Sequence, residues 1–291
     1  MTTREPVLSA PTRGLTATEV REHPWCGPAD RMPTRYRGPH GLGRDGWVNF
    51  VTRLERGEEV AIIRAAVADN RRVLDVGGGT GEIARAVAAQ VGRCTTVEPH
   101  ADRVASLQDS GHGVVDVHPG HAESLPFEDG AFDAVYATWV LPYVDDPERA
   151  AREIARVCDA SDPGAKVVLI GGSPDNELVS VLNEVCVPLA GEEPDHQGYL
   201  LATAAAVFAD SGFGRFSLHR TEAALHFPEP SVDERVDAAC AVLGDFWYEG
   251  HPRVEEMREA LRPRVHRHFR HRSHAIGDQA TVLVARPGTP S

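Results

Sequence analysis

The residues best suited to chemistry in this chain stand together in RVLDVGGGTGEIA, residues 72–84. A β-branched and aliphatic run ends near an acid, Asp75, and passes through three consecutive glycines into a helix-forming stretch. A strand that turns on glycine straight into a helix aims unpaired backbone N–H groups at whatever lies over the turn, so the segment reads first as a ligand site. From Gly77 the spacing is GxGxG, through Gly79 and Gly81. The dinucleotide fingerprint GxGxxG would need glycine at Glu82, yet Gly79, Gly81 and Ala84 satisfy GxGxxA, so spacing alone leaves NAD open.

The acid discriminates better than the glycines. A carboxylate at Asp75 gains nothing beside a pyrophosphate, whereas it favours a ligand with an ammonium group. S-adenosylmethionine is such a ligand. Its carboxylate suits the helix N-terminus after Gly81, its ammonium suits Asp75, and no Lys or Arg between Val73 and Ala84 repels its sulfonium. Glu98, at the end of the next apolar run, is placed to accept hydrogen bonds from both ribose hydroxyls, a contact that NAD would share.

These groups need a frame to hold them. Strand-like runs at 72–76, 94–97, 113–117, 132–137 and 166–170 alternate with helical patterns at 81–91, 101–109 and 147–158. Two helices precede the first strand, with a break at Gly57. Such alternation predicts an α/β fold whose open, mostly parallel sheet is covered by helices on both faces, with ligands at the carboxyl ends of the strands near the reversal of strand order. Beyond residue 171 the pattern predicts helices at 176–187, 201–210, 233–243 and 254–269 and strands at 213–220 and 280–285.

Bulk properties narrow the partners. The 291 residues carry a net charge of -13, which argues against a nucleic-acid partner. Five cysteines, far apart and without a CxxC pair, suggest neither a disulfide framework nor a cysteine zinc site, and a cytoplasmic setting is expected. No apolar run is long enough for a signal peptide or a bilayer span, so no membrane partner is expected. Residues 1–44, rich in Pro, Gly, Arg and Thr, read as an N-terminal arm that is partly disordered or covers the site. Residues 45–291 read as one domain with substrate-side insertions around 186–200 and 221–270.

The segments VLDVGGGTG, VEP ending beside Glu98, and GHAESLPFEDGAFDAVYATWVLPYVDDPERAAREIARVCDASDPGAKVVLI together resemble the class I S-adenosylmethionine-dependent methyltransferases, in particular the small-molecule branch. The resemblance covers about residues 60–171. It implies a Rossmann-like, seven-stranded, mostly parallel sheet with an antiparallel last strand, and S-adenosyl-L-methionine as cofactor. It implies that Gly77, Gly79 and Gly81 form the turn under the methionine and ribose, that Glu98 holds the diol, and that Ala122 and Glu123 flank the adenine. Where such proteins often carry aspartate, this chain has His121, whose imidazole can still accept from the adenine amino group. The stretch from Thr138 to Asp146 should pass beside the transferable methyl, with Trp139 and Tyr143 as candidate walls.

Methyl transfer from a sulfonium is an in-line displacement in which alignment supplies much of the rate. A hydroxyl acceptor profits from a nearby base, and His196 and His40 are the first candidates, with Tyr143 beside the methyl. No metal is required. The expected function is methylation of a small-molecule acceptor, at an oxygen of a sugar, phenol or other metabolite hydroxyl, by a monomer or homodimer. Two alternatives stay open: an NAD-dependent oxidoreductase, and a catalytically inactive methyltransferase-like binding protein.

Overall fold

A computed structural model describes residues 14–27, 44–110, 113–194 and 197–288. In chain order its first half comprises α1 (Ala17–Glu22), α2 (Arg44–Val51), β1 (Leu54–Glu55), α3 (Gly57–Val67), β2 (Val73–Val76), α4 (Glu82–Val91), β3 (Cys94–Glu98), α5 (Ala101–Ser110), β4 (Val115–Pro119) and β5 (Ala134–Thr138). The second half comprises α6 (Pro147–Val157), β6 (Lys166–Gly172), α7 (Glu177–Ala190), α8 (Gly198–Asp210), β7 (Arg215–His226), α9 (Val232–Tyr248), α10 (Val254–Phe269) and β8 (Ala275–Arg286).

The strands form one sheet in the order β1-β7-β8-β6-β5-β2-β3-β4. Strands β2 to β6 run parallel, and β8 inserts antiparallel between β6 and β7. Because β2 lies between β3 and β5, strand order reverses there, and the carboxyl end of β2 is the natural ligand position. Alternation along β2 decides which side chains face which layer. Leu74 and Val76 join the core shared with Ile154, Leu200 and Phe208 of α6 and α8, while Val73 joins the core shared with Ile63 and Val87 of α3 and α4. Asp75 therefore shares its face with Val73, and it pairs in register with Tyr136.

Local chemistry fixes the helix starts that frame the site. Asp146 caps α6 by accepting from the Arg149 amide at 2.9 Å, with Pro147 in the first turn where no N–H is needed. Asn176 caps α7 in the same way, its Oδ1 accepting from the Val179 amide at 2.9 Å. Ser231 and Glu234 form a reciprocal capping box on α9. Helices α7, α9 and α10 enclose a further core with Phe50, where the Phe50 and Phe246 rings stack at 4.5 Å.

The sheet has eight strands, one more than expected. β1 pairs with Leu225 and Ala224 of β7, and two residues are too few to show a period-two pattern. β7 itself continues to His226 instead of ending at residue 220, and β8 begins at Ala275 instead of residue 280, because the two strands pair along their whole lengths. Gly277 and Asp278 interrupt the apolar pattern of β8 without interrupting its pairing. Leu15 pairs with Phe216, and Thr281 Oγ1 donates to the Trp25 carbonyl at 2.8 Å, so residues 14–27 lie against the β7–β8 side of the sheet. Among the described residues no helix is long and apolar enough to cross a membrane.

Phe208 is fully buried and packs edge-on against Phe213 at 6.3 Å, away from the end of the sheet that carries the glycine turn. Phe208→Ala is expected to lower unfolding free energy in a urea titration by about 3–5 kcal/mol. A loss under about 1 kcal/mol would show that the α8 face contributes little to the core.

Candidate active site

The turn after β2 is built so that only glycine fits at its key positions. Gly77, Gly79 and Gly81 take φ of +85°, +52° and +73°, a region that disfavours any side chain. A Cβ at Gly77 would lie 2.5 Å from Val140 Cγ2, and one at Gly81 would lie 2.5 Å from Leu107 Cδ2. The amides of Gly77 and Gly78 donate to the Val97 carbonyl at 2.8 and 3.1 Å, which ties the turn to the end of β3.

Glu98 closes the other side of the turn. Its Oε2 accepts from the Gly79 amide at 3.0 Å and its Oε1 from the His100 amide at 3.1 Å. The Arg103 guanidinium lies 3.8 Å from Oε1 and stacks 4.1 Å from the Trp47 ring centre. A carboxylate has about four lone-pair sites, so Glu98 retains acceptor capacity for a diol while its orientation is already fixed.

A cavity of about 480 Å³ opens over this turn, within the size range of small-molecule sites. It brings together Asp75, Gly77, Gly79, Glu98, His121, Ala122, Glu123, Thr138 and Tyr143, residues dispersed over four loops. Gly81 shapes the turn without lining the cavity. Glu123 is engaged by the chain, accepting from the Asp145 amide at 2.9 Å, and Tyr143 is 43% exposed on a short 3-10 turn, Leu141–Tyr143. Trp139, the other candidate wall, also lines the cavity, as does His100. His40 and His196 lie outside the described residues.

Several lining residues escape sequence reasoning. Trp47, Phe50 and Phe246 supply an aromatic wall from α2 and α9, and their meeting has no local signature. Asp278 comes from β8, where an acid just ahead of the largely apolar stretch 280–285 is a signal that could have been read. No Lys or Arg lies between Val73 and Ala84, but the fold brings cations to the turn from outside that stretch: Arg56 reaches the cavity from the start of α3, Arg103 lines it from α5, and Arg85 Nη1 donates to the Thr80 carbonyl at 3.1 Å.

Arg56 acts on three withdrawn carboxylates. Burial pushes Asp75 and Glu59 up to about 7 and Asp278 up to about 6, and Arg56 opposes the rise in each. Tyr136 and Thr96 hydroxyls also oppose it at Asp75, and the Asn176 amide does so at Asp278. Glu59 is fully buried, and its Oε1 accepts from Trp139 Nε1 at 2.9 Å. That bond, with the Trp139 amide donating to the Ile170 carbonyl at 2.8 Å, holds Trp139 at φ +58°. A bulky residue in this region costs about 1–3 kcal/mol, so the surroundings determine the position of the indole at the cavity wall.

The sign of the pH dependence follows. In the unfolded chain Asp75 ionises near pH ~3.9, whereas in the fold it holds its proton to about 7, so the native state binds more protons between these values and loses stability as pH rises through them. Asp75→Asn does not titrate. Its melting temperature relative to the unaltered protein is expected to improve from pH ~4.5 to pH ~7 and to level off above that, in the absence of cofactor. A difference independent of pH would show that Asp75 ionises in the fold as it does in water.

Comparison with known proteins adds an independent line. Residues 74–162 match the family described as a methyltransferase domain. The chain is 31% identical over 182 residues to the ubiquinone/menaquinone biosynthesis C-methyltransferase UbiE of Ectopseudomonas mendocina, covering 53% of this chain and 70% of that protein. It is 37% identical over 93 residues, 32% of its length, to UbiE of Rubrivivax gelatinosus, and spans 37% of that relative. The crystal structure of YcgJ from Bacillus subtilis shares the fold, with a TM-score of 0.54 at 19% identity over 80% of this chain and 100% of that one.

Proposed function

The chain belongs to the class I S-adenosylmethionine-dependent methyltransferases, and from that premise we propose that it methylates a small-molecule acceptor at an oxygen, the hydroxyl of a sugar, phenol or other metabolite. The observation that carries this reading is one cavity that joins the Asp75–Glu98 turn to the aromatic wall of Trp47, Phe50 and Phe246. S-adenosylmethionine supplies an electrophilic methyl on a cationic sulfur, and the residues present fit it. A Cβ at Gly77 or Gly81 would run into Val140 or Leu107 and distort the turn, Glu98 is oriented with acceptor capacity to spare, and Asp75 is a buried acid suited to an ammonium group.

In this reading Glu98 holds the ribose diol and Asp75 the ammonium, with Gly77, Gly79 and Gly81 shaping the floor. Arg56 neutralises part of the acidic surroundings and suits the methionine carboxylate. His121, Ala122 and Glu123 flank the adenine, and Thr138 and Tyr143 lie beside the methyl. The aromatic wall favours an acceptor with a flat apolar body and excludes water from the reacting centre. A second reading, methylation at a ring carbon next to a hydroxyl, is supported by the C-methyltransferase names of the UbiE relatives. Membership of this family sets the oxidoreductase alternative aside.

We further propose the division into an arm, 1–44, and a methyltransferase domain, 45–291, in which the segments around 186–200 and 221–270 serve the acceptor side. A cytoplasmic monomer or homodimer without a nucleic-acid partner completes the reading.

Isothermal titration calorimetry is the direct check. S-adenosylmethionine and S-adenosylhomocysteine are expected to bind, and Glu98→Gln is expected to weaken both by about 1.5–3 kcal/mol, roughly ten- to hundredfold. No heat with either ligand, together with saturation by NADH, would overturn the proposal. Cofactor binding without methyl transfer to any acceptor would instead leave a binding protein.

A further inference from the structure

Transfer of a methyl cation equivalent to a hydroxyl leaves a proton to be removed, and the cavity holds few groups that could take it. Asp75 lies under the cofactor turn. Glu59 is fully buried behind Trp139 and does not line the cavity. Glu123 accepts from the Asp145 amide, and Glu98 accepts from the amides of Gly79 and His100, its remaining acceptor capacity assigned above to the ribose diol. Asp145, His100 and His121 line the cavity at exposed positions open to solvent, with the Asp145 amide on Glu123 and the His100 amide on Glu98.

Asp278 differs from all of these. It is 3% exposed, yet it lines the cavity from β8, the neighbour of β6 on the side opposite β5 and β2. Asn176 Nδ2 donates to its Oδ1 at 2.7 Å and to the Gln279 carbonyl at 3.0 Å. Asn176 is itself fixed as the cap of α7, so the carboxyl has one defined orientation. Its second oxygen, Oδ2, has no hydrogen-bond donor among the described residues. A nearly dry carboxyl with one oxygen tethered and the other free has the form of a positioned proton acceptor.

We propose that Asp278 is the general base of the acceptor site, taking the hydroxyl proton through Oδ2, and that Asn176 is its positioning residue. The proposal rests on the methyltransferase reading above. The acceptor O–H bond gives its proton to Asp278 and its electron pair to the new O–CH3 bond. The methyl–sulfur bond breaks with its pair remaining on sulfur, so the sulfonium becomes a neutral thioether and the proton leaves later to solvent. The same proton acceptor would serve methylation of a ring carbon: it takes the phenolic proton, a ring π pair forms the C–CH3 bond as the methyl–sulfur pair stays on sulfur, and the proton on that carbon is then lost to solvent as the ring regains its aromaticity.

The charged and titratable groups around Asp278 are consistent with this role. Arg56 faces it from the start of α3, Glu59 from α3 and Tyr143 from the 3-10 turn. Glu177, whose Oε2 accepts from the neighbouring Gly277 amide at 2.6 Å, is paired with Arg272 at 3.2 Å and lies 3.5 Å from His268 Nδ1. Burial holds Asp278 at about 6, close to the range in which a base is both ionised near neutrality and strong enough to accept.

The test uses the full chain with Asp278→Asn, which keeps the size of the side chain and its oxygen toward Asn176. Phenol and 4-nitrophenol serve as probes, since the second is a far stronger acid and needs little help to lose its proton. With S-adenosylmethionine, the substitution is expected to slow methylation of phenol by about 100-fold or more and that of 4-nitrophenolate by less than about tenfold. With S-adenosylhomocysteine, which donates no methyl, 4-nitrophenolate binding to the unaltered protein is expected to weaken about tenfold per pH unit above pH ~8, because the phenolate enters beside Asp278 only with a proton. In Asp278→Asn that dependence should vanish. Equal slowing of both phenols, a retained pH slope, or loss of S-adenosylhomocysteine binding in the variant would overturn the role of Asp278 alone. If the unaltered protein binds S-adenosylhomocysteine but neither binds nor methylates either phenol, the hydroxyl-acceptor reading fails, and the base with it.

Discussion

One guanidinium faces three carboxylates at the carboxyl edge of the sheet, and the character of the site depends on that imbalance. Asp75, Glu59 and Asp278 are almost wholly withdrawn from water, and Arg56 offsets their charge only in part. Isolated buried carboxylates are costly, and the fold meets the cost by keeping Asp75 and Glu59 protonated to about pH 7 and Asp278 only to about pH 6, and by supplying Tyr136, Trp139 and Asn176 as donors. Such a wall is poorly suited to an anion and well suited to a cation. A sulfonium cofactor with an ammonium tail is the kind of ligand that would let these groups ionise together.

The sheet topology explains how residues so far apart in sequence reach one wall. β2 contributes Asp75 at the reversal of strand order, β3 contributes Glu98, and β8, running antiparallel beside β6, carries Asp278 to the same edge at which the parallel strands end. The parallel strands hold the cofactor groups, while the apolar wall comes from helices outside the alternating unit. α2 and α9 meet through Phe50 and Phe246, so the acceptor side is built from segments distant from the glycine turn and from each other. Trp139 links the halves, since its indole contacts Glu59 on one side and its backbone follows directly from β5.

What could be read from sequence divides along the same line. The strand–turn–helix at Asp75 to Gly81 and the acid at Glu98 were legible because their chemistry is local: fixed spacing, one required backbone conformation and one charge. The alternating helices and strands were legible for the same reason, with β8 underestimated where Gly277 and Asp278 broke the apolar pattern and β7 underestimated over residues 221–226, which pair with that same part of β8. Arg56 and the Phe50–Phe246 stack were not legible, because each matters only through a partner that the chain brings near after folding, and the acid at Asp278 could be noticed in the sequence without its partners being named. The histidines at 40 and 196 drew notice as familiar bases, whereas the carboxyl at Asp278 has base-like properties only by virtue of its burial and its tether to Asn176.

The most direct test of the whole arrangement is a crystal structure of the full chain with S-adenosylhomocysteine. The expected map places the ribose hydroxyls on Glu98, the amino group toward Asp75, and the sulfur facing a space bounded by Asp278 and the aromatic wall. A cofactor bound elsewhere, or one whose sulfur points away from Asp278 with no room for an acceptor between them, would contradict it.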